Sequence, residues 1–263
     1  MSIQQLFRET LNLVDNPLAT KLAQKIYNSY PEYHYEFNSI ANTLKLNILD
    51  VVKVNIAYDL AMGVFGCTTI VGKNENNLHW IGRNMDWFSP DLIKKNTVIF
   101  ENNFYKSVSV YGLIGVVTGI NKHFALIVNA LPGIMNNSGI PVLFGTRKIL
   151  ESCNSFEEAE EKIKETEWLS SGLLTLVNKN QCSIYELLEK PKKRNLNNYP
   201  IVVTNFDENN QNACARYQRA KQLNPKNLIE VKTVLADSQV KQDITAQTIF
   251  INFEEDNYSL FFI

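Results

Sequence analysis

At residue 67 the texture of the chain changes, and that change limits the folds open to it. Residues 1–66 carry apolar residues at helical spacing, whereas from Cys67 onward β-branched and aromatic residues gather in short runs divided by turns. In the first part Ile3, Leu6, Phe7, Leu11 and Val14 share one helical face behind a capping box of Ser2 and Gln5. Asn16-Pro17 breaks that helix, and a second run with Leu18, Leu22, Ile26, Tyr27 and Tyr30 stops at Pro31. The spacing predicts a third helix over 35–46 and a fourth from about Asn47 that holds Val51, Val52, Ile56, Leu60 and Ala61. Packing of these helices on the later part of the chain accounts for their apolar faces.

The second part opens on Phe65-Gly66-Cys67-Thr68-Thr69-Ile70-Val71, a strand pattern. Lys73 to Asn77 is polar and reads as a turn, and Leu78 to Ile81 as the returning strand. Further strands are predicted over 97–101, 107–113, 115–118 and 124–128, with a turn over 119–123 between the last two. Helices follow over 141–152 and, behind a capping box of Ser155 and Glu158, to about Glu165. Strands return over 173–177, 183–187 and 201–204, then a helix over 213–222 and closing strands over 248–253 and 258–262. The basic run 189–194 reads as a solvated loop. This order suits a layered α+β sandwich.

Bulk properties exclude several classes. With 26 basic against 27 acidic residues the net charge is −1, so no overall field favours nucleic acid. Cys67, Cys153, Cys182 and Cys214 are scattered with no CxxC pair, which argues against zinc, and a chain of 263 residues buries enough core to leave them as free thiols. The N-terminus lacks a continuous apolar segment of the secretory type, and no run approaches the roughly 20 apolar residues of a membrane span. A cytoplasmic location is the default expectation.

The hairpin opened by Cys67 brings that thiol toward the segment Gly82-Arg83-Asn84-Met85-Asp86-Trp87, read as a loop beyond the second strand. A thiol beside a guanidinium and a carboxylate at a strand end is a candidate nucleophile. Taken singly, Cys67 reads as a small buried hydrophobe, and Arg83 and Asp86 as a surface pair. Arg83 and Asp86 follow Cys67 by sixteen and nineteen positions, and that spacing favours the functional reading.

Cys-Thr-Thr-Ile-Val followed by Gly-Arg-Asn-Met-Asp resembles the N-terminal-nucleophile cysteine amidohydrolases. The group includes acid ceramidase, N-acylethanolamine acid amidase and the choloylglycine (bile-salt) hydrolases. The resemblance covers about Asn42 to Arg219, and implies a four-layer αββα sandwich behind a helical pro-segment. It divides the chain into a pro-segment, 1–66, and a catalytic domain, 67–263. It implies autocleavage between Gly66 and Cys67, which frees the cysteine's own α-amine as base; such chemistry needs no catalytic histidine, cofactor or metal. The long leader points to the ceramidase side, where the cleaved segment stays bound.

Carried over residue by residue, Cys67 is the nucleophile, Asp86 holds the α-amine and Arg83 lines the nucleophile and lowers its pKa. Val128-Asn129-Ala130-Leu131-Pro132 and Val203-Thr204-Asn205-Phe206-Asp207 match oxyanion motifs, nominating Asn129 and Asn205. Arg216 is nominated beside them, with Arg219 as the competing candidate. Met85 and Trp87 are nominated as substrate contacts. His34, His79 and His123 match no catalytic position. The implied substrate is a small N-acyl amide or lipid such as a ceramide or N-acylethanolamine, with peripheral membrane contact among the expectations. A bile-salt, penicillin V or other linear-amide hydrolase is the alternative activity; a non-catalytic lipid- or membrane-binding protein is the alternative of another class.

Overall fold

The computed structural model describes residues 2–133, 135–136, 138–196, 198–255 and 257–263. Its leader folds as helices α1 (Ile3–Val14), α2 (Pro17–Ser29), α3 (His34–Leu44), α4 (Ile48–Asn55) and the short α5 (Ala57–Leu60). Asn16 caps α2 by accepting from the Ala19 N–H at 2.9 Å, which satisfies one of the orphan donors of the first turn. The capping box expected at α1 does not form: the Ser2 side chain makes no cap bond, and Gln5 donates to Glu9 instead. The third helix ends two residues early because Lys45 turns into the left-handed region at φ 53°.

From Gly66 the chain builds β1 (Gly66–Lys73) and β2 (His79–Asp86), joined by a turn in which Asn74 Oδ1 accepts from Asn76 and Leu78. The expected loop at Arg83 to Asp86 is therefore strand, paired on both sides. Helix α6 (Pro90–Asn96) was not anticipated; it is seven residues long, too short to show periodicity. Then come β3 (Thr97–Glu101), β4 (Lys106–Val110), β5 (Thr118–Ile120) and β6 (Ala125–Asn129). The strand expected at 115–118 is shifted because the Val116 N–H donates to Leu143 O instead of joining the sheet. Gly115 there lies so close to Leu143 that an added Cβ would stand 2.5 Å from it.

Helices α7 (Val142–Ser152) and α8 (Phe156–Glu165) follow, the latter capped as expected by Ser155, which accepts from the Glu158 N–H. Next are β7 (Gly172–Val177), β8 (Cys182–Leu187), a two-residue exposed β9 (Lys192–Lys193) inside the expected basic loop, and β10 (Ile201–Val203). The chain closes with α9 (Ala215–Leu223), α10 (Leu228–Ala236), β11 (Thr245–Phe253) and β12 (Tyr258–Phe262). Helix α10 was missed, although Asn227 gives it a cap by accepting from both Ile229 and Glu230.

Among the described residues the strands form two antiparallel sheets, ordered β10-β1-β2-β11-β12 and β3-β4-β5-β6-β7-β8-β9. The two-residue alternation of strand side chains sorts the core into layers. Val71, Ile81, Ile127, Leu173 and Ile251 fill the space between the sheets. On the outer face of the smaller sheet Ile70, Trp80 and Phe250 meet Val231, Val234 and Leu235 of α10. On the outer face of the larger, Leu126, Val128, Leu174 and Leu176 meet Val142, Ile149, Phe156 and Ile163 of α7 and α8. The result is the expected αββα sandwich.

The leader is packed into this sandwich. Phe7, Phe37 and Val51 share a cluster with Ile114, Phe144 and Leu169, and burying each aromatic side chain contributes about 1.5–3 kcal/mol. Arg147 of α7 clamps α3 by donating from Nη1 to both carboxylate oxygens of Glu36, at 2.9 and 2.8 Å. Asp59 of α5 accepts from the Val142 N–H at 3.1 Å and from Ser170 Oγ at 2.6 Å. These bonds tie the end of the leader to the start of α7, a few residues before Gly66.

Candidate active site

Strand register places the site. Across the β1–β2 pair Cys67 lies opposite Met85, Thr69 opposite Arg83 and Gly66 opposite Asp86. Residues opposite one another in an antiparallel pair share a face. Cys67, Thr69, Arg83 and Met85 therefore face the other sheet, while Gly66, Thr68, Asn84 and Asp86 face α9 and α10.

On the inner face Arg83 is wholly buried, and its Nη2 donates to Cys67 Sγ at 2.9 Å. Its Nη1 donates to Thr118 Oγ1 at 2.7 Å and Val117 O at 3.3 Å, so β5 aims the guanidinium at the sulfur. Arg83 Nε is buried with no hydrogen-bond partner among the described residues. Thr69 Oγ1 donates to Asn129 Oδ1 at 2.8 Å, and Asn129 Nδ2 donates to Val203 O and Thr204 O. The Asn129 amide is thus committed to joining the end of β6 to the end of β10, and does not face the sulfur as a donor.

On the outer face Arg216 of α9 is the organiser. Its Nη1 donates to Cys67 O at 2.7 Å, Thr68 Oγ1 at 3.1 Å and Asp86 Oδ2 at 3.3 Å, and its Nη2 to Asn205 Oδ1 at 2.8 Å. Arg219, the competing candidate, instead pairs with Asp237 at 2.7 Å. Asp86 also accepts from Thr245 Oγ1 at 2.6 Å, and its Oδ2 lies beside Gly66, where an added Cβ would come to 3.0 Å. Asn205, just past β10, accepts the Cys67 N–H at 2.8 Å and donates from Nδ2 to Ala130 O at 2.7 Å. In the continuous chain it is Asn205, and not Asp86, that holds the Cys67 nitrogen.

Four aromatic rings pack at the junction between leader and strand. Phe65 packs on Trp87 at 4.3 Å between ring centres, on Tyr58 at 6.0 Å and on Phe88 at 6.0 Å. Met85 and Trp87, expected as substrate contacts, are both buried here, and Cys67 is only 4% exposed. That enclosure reverses an electrostatic expectation. Burial pushes the Cys67 thiol above its ordinary pKa, outweighing the opposing pull of Arg83. Asp86 is likewise raised by burial, against the Thr245 hydroxyl and the two arginines.

Thr118, Thr245 and Tyr58 were not nominated from sequence. Each supports the site from another element, and a lone Thr in a strand or Tyr in a helix carries no local signal. All four cysteines are free thiols. His79 is buried between Asn178 O and Tyr199 Oη, each at 2.7 Å, and burial lowers its pKa to about 4, a structural role. His34 stacks on Tyr27 at 4.0 Å, and His123 lies in the exposed turn before β6.

The model of the acyl-coenzyme A:6-aminopenicillanic acid acyl-transferase family matches residues 72–245, a span holding Arg83, Asp86, Asn129, Asn205 and Arg216. The chain is 26% identical over 252 residues to N-acylethanolamine-hydrolyzing acid amidase of Caenorhabditis elegans, covering 81% of this chain and 70% of the relative. It is 25% identical over 227 residues to human acid ceramidase, covering 71% of this chain and 56% of the relative, so it spans little more than half the ceramidase. A solved structure of the Caenorhabditis elegans N-acylethanolamine-hydrolyzing acid amidase ortholog superposes with a TM-score of 0.60 at 22% identity. It covers 70% of this chain and 92% of that one.

Proposed function

The chain belongs to the acyl-coenzyme A:6-aminopenicillanic acid acyl-transferase family, and on that premise we propose that it is a cysteine amidohydrolase activated by cleavage at Gly66-Cys67. The observation that carries this reading is that the sulfur, nitrogen and carbonyl oxygen of Cys67 each have their own partner: Arg83, Asn205 and Arg216. Any buried N–H and C=O finds a partner, but here both are held by side chains and a guanidinium reaches the sulfur, which a merely structural cysteine does not need.

In activation the Cys67 sulfur attacks the Gly66 carbonyl carbon, the C–N bond breaks, and the thiol proton passes to the departing nitrogen. The product is a thioester between Gly66 and Cys67, which water opens to a Gly66 carboxylate and a restored thiol. The freed α-amine has a reference pKa of about 7.7–8.0, suited to taking the thiol proton, which burial otherwise holds in place. In turnover the sulfur attacks the acyl carbonyl of a bound amide, the α-amine hands the proton to the leaving amine, and water releases the acid. Arg83 stabilises the negative charge that develops on the sulfur as its proton leaves, and its Nε is a further N–H in the same guanidinium. Asn205 then holds the α-amine, and Asp86 steadies Arg216.

The two relatives are named for N-acylethanolamines and ceramides, which supports an N-acyl lipid as substrate here. A cavity of about 250 Å³ lies between α3 and the β3–β4 hairpin, away from Cys67 and its partners, with Glu36 and Arg147 among its lining. Its walls include Ile40, Val98, Phe100 and Leu113. The exposed Val98, Ile99, Phe100 and Phe104 of that hairpin support contact with a lipid surface. Pro-segment retention is supported by the buried Phe37 and the Glu36–Arg147 clamp, neither of which cleavage at residue 66 touches.

Mass spectrometry after mild acid incubation is expected to show two pieces beginning at Met1 and Cys67, and Cys67→Ala to show one piece and no hydrolysis of any N-acyl amide. An active enzyme that stays uncut sinks the mechanism. A panel of N-acyl amides compared by kcat/KM separates ceramides and N-acylethanolamines from bile-salt or penicillin V substrates. Liposome binding by Cys67→Ala with no hydrolysis by the parent chain would favour a lipid-binding protein instead.

A further inference from the structure

A cavity of about 270 Å³ lies where α6, α10 and the start of β11 meet, lined among others by Lys94, Lys232, Lys241, Thr245 and Gln247. It touches the proposed chemistry only through Thr245. The three lysines come from three separate segments and are exposed; no Asp or Glu side chain lines the cavity, and the last residue, Ile263, forms part of its wall. Among the described residues no ion pair engages any of them. In a chain of net charge −1, three unpaired ammonium groups around one hollow are not a reflection of bulk composition.

A second, independent feature is Gln247, which is 2% exposed. Its Nε2 donates to Thr97 Oγ1 at 2.7 Å. Thr97 Oγ1 donates in turn to Ile93 O at 2.8 Å, so in this arrangement it accepts from Gln247. Gln247 Oε1 is left buried with no donor among the described residues. A buried carbonyl oxygen of this kind is ordinarily satisfied by an ordered water or by a ligand donor.

We propose that this cavity binds a hydroxyl-bearing phosphate ester, its anionic oxygens on Lys94, Lys232 and Lys241 and its hydroxyl donating to Gln247 Oε1. The ester can arrive free in solution or as the headgroup of a lipid. Geometry allows the second source, since Thr97 also opens β3, whose next three residues Val98, Ile99 and Phe100 are exposed. The assignment does not depend on the hydrolase reading and is tested without turnover.

The test is calorimetric titration of the full chain with sn-glycerol 3-phosphate and, as the hydroxyl-free anion, sulfate. Co-sedimentation with phosphatidylglycerol or phosphatidylcholine vesicles runs in parallel. Saturable binding of glycerol phosphate, tighter than sulfate, is expected. The double variant Lys232→Gln/Lys241→Gln should weaken it about tenfold, the loss of two modest ion pairs. Gln247→Met should erase the preference over sulfate while sulfate still binds. Saturation by the free ester supports a soluble ligand. Lysine-dependent binding seen only with phosphatidylglycerol vesicles supports a headgroup. Failure of the soluble probes and of the phosphatidylglycerol vesicles alike, or equal binding by the lysine variant, overturns the assignment. That variant changes only exposed positions, so it decides the matter even if Gln247→Met does not fold.

Discussion

The two faces of the β1–β2 hairpin divide the work at Cys67. The inner face carries the sulfur and Arg83 in a closed space, whereas on the outer face Arg216, paired with Asp86, grips the carbonyl of the same residue. Side-chain alternation forces this split, because Cys67 and Asp86 are offset by one in register. The difference teaches that nucleophilicity and the positioning of the scissile bond are controlled from opposite sides of one strand. They should be separable by mutation.

Arg83→Gln attacks the inner face and has the largest expected effect, a fall of about 10²–10³ in kcat/KM, as for loss of one electrostatic donor in a catalytic site. The thiol pKa, read by the pH dependence of alkylation, should rise. Arg216→Gln attacks the outer face: the rate of cleavage at Gly66-Cys67 should drop about tenfold or more. The thiol's pH profile should move less than for Arg83→Gln, because Arg216 is the weaker of the two charges acting on it. Equal shifts in the two profiles would break the division.

Asp59 tests what stands behind the hairpin. Burial raises its pKa to about 7, so the folded chain holds a proton that the unfolded chain releases above about pH 4. Stability should therefore fall as pH rises from about 4 to 7 and level off above that, by at most about 4 kcal/mol. Denaturant midpoints across that range should show the slope, and Asp59→Asn should flatten it. The smallest effect is expected from Arg219→Ala. Its solvent-screened pair with Asp237 contributes little to stability, and cleavage should proceed at the parent rate. Slowed cleavage in that variant would mean that α9 as a whole, and not Arg216 alone, serves the site.

Much of the architecture was legible because it rests on local pattern. The hairpin, β3, β12 and the Ser155 cap follow from runs of β-branched residues and capping chemistry. Helices α6 and α10 were not legible: one is too short for a period to show, and the other mixes apolar residues around its surface. At the site the spacing of Cys67, Arg83 and Asp86 picked out a true cluster. The assignment of Asn129 as a donor did not survive contact with its neighbours, since Val203 and Thr204 take its amide hydrogens.

The local pattern determined the hairpin and brought the thiol near the guanidinium, since a strand run and a turn of asparagines are properties of adjacent residues; that Arg83 lies in β2 and shares a face with Cys67 was decided by pairing on both sides of that strand. Which groups hold the nitrogen and oxygen of Cys67 depended on Asn205 and Arg216, distant by 138 and 149 positions. The choice of Arg216 over Arg219 followed from what each meets in the fold: Arg216 reaches Cys67 and Asn205, while Asp237 takes Arg219. The protonation of the thiol was decided last, by the closing of leader and sheets around it: exclusion of water acts on a charge more strongly than any single neighbour named in the chain.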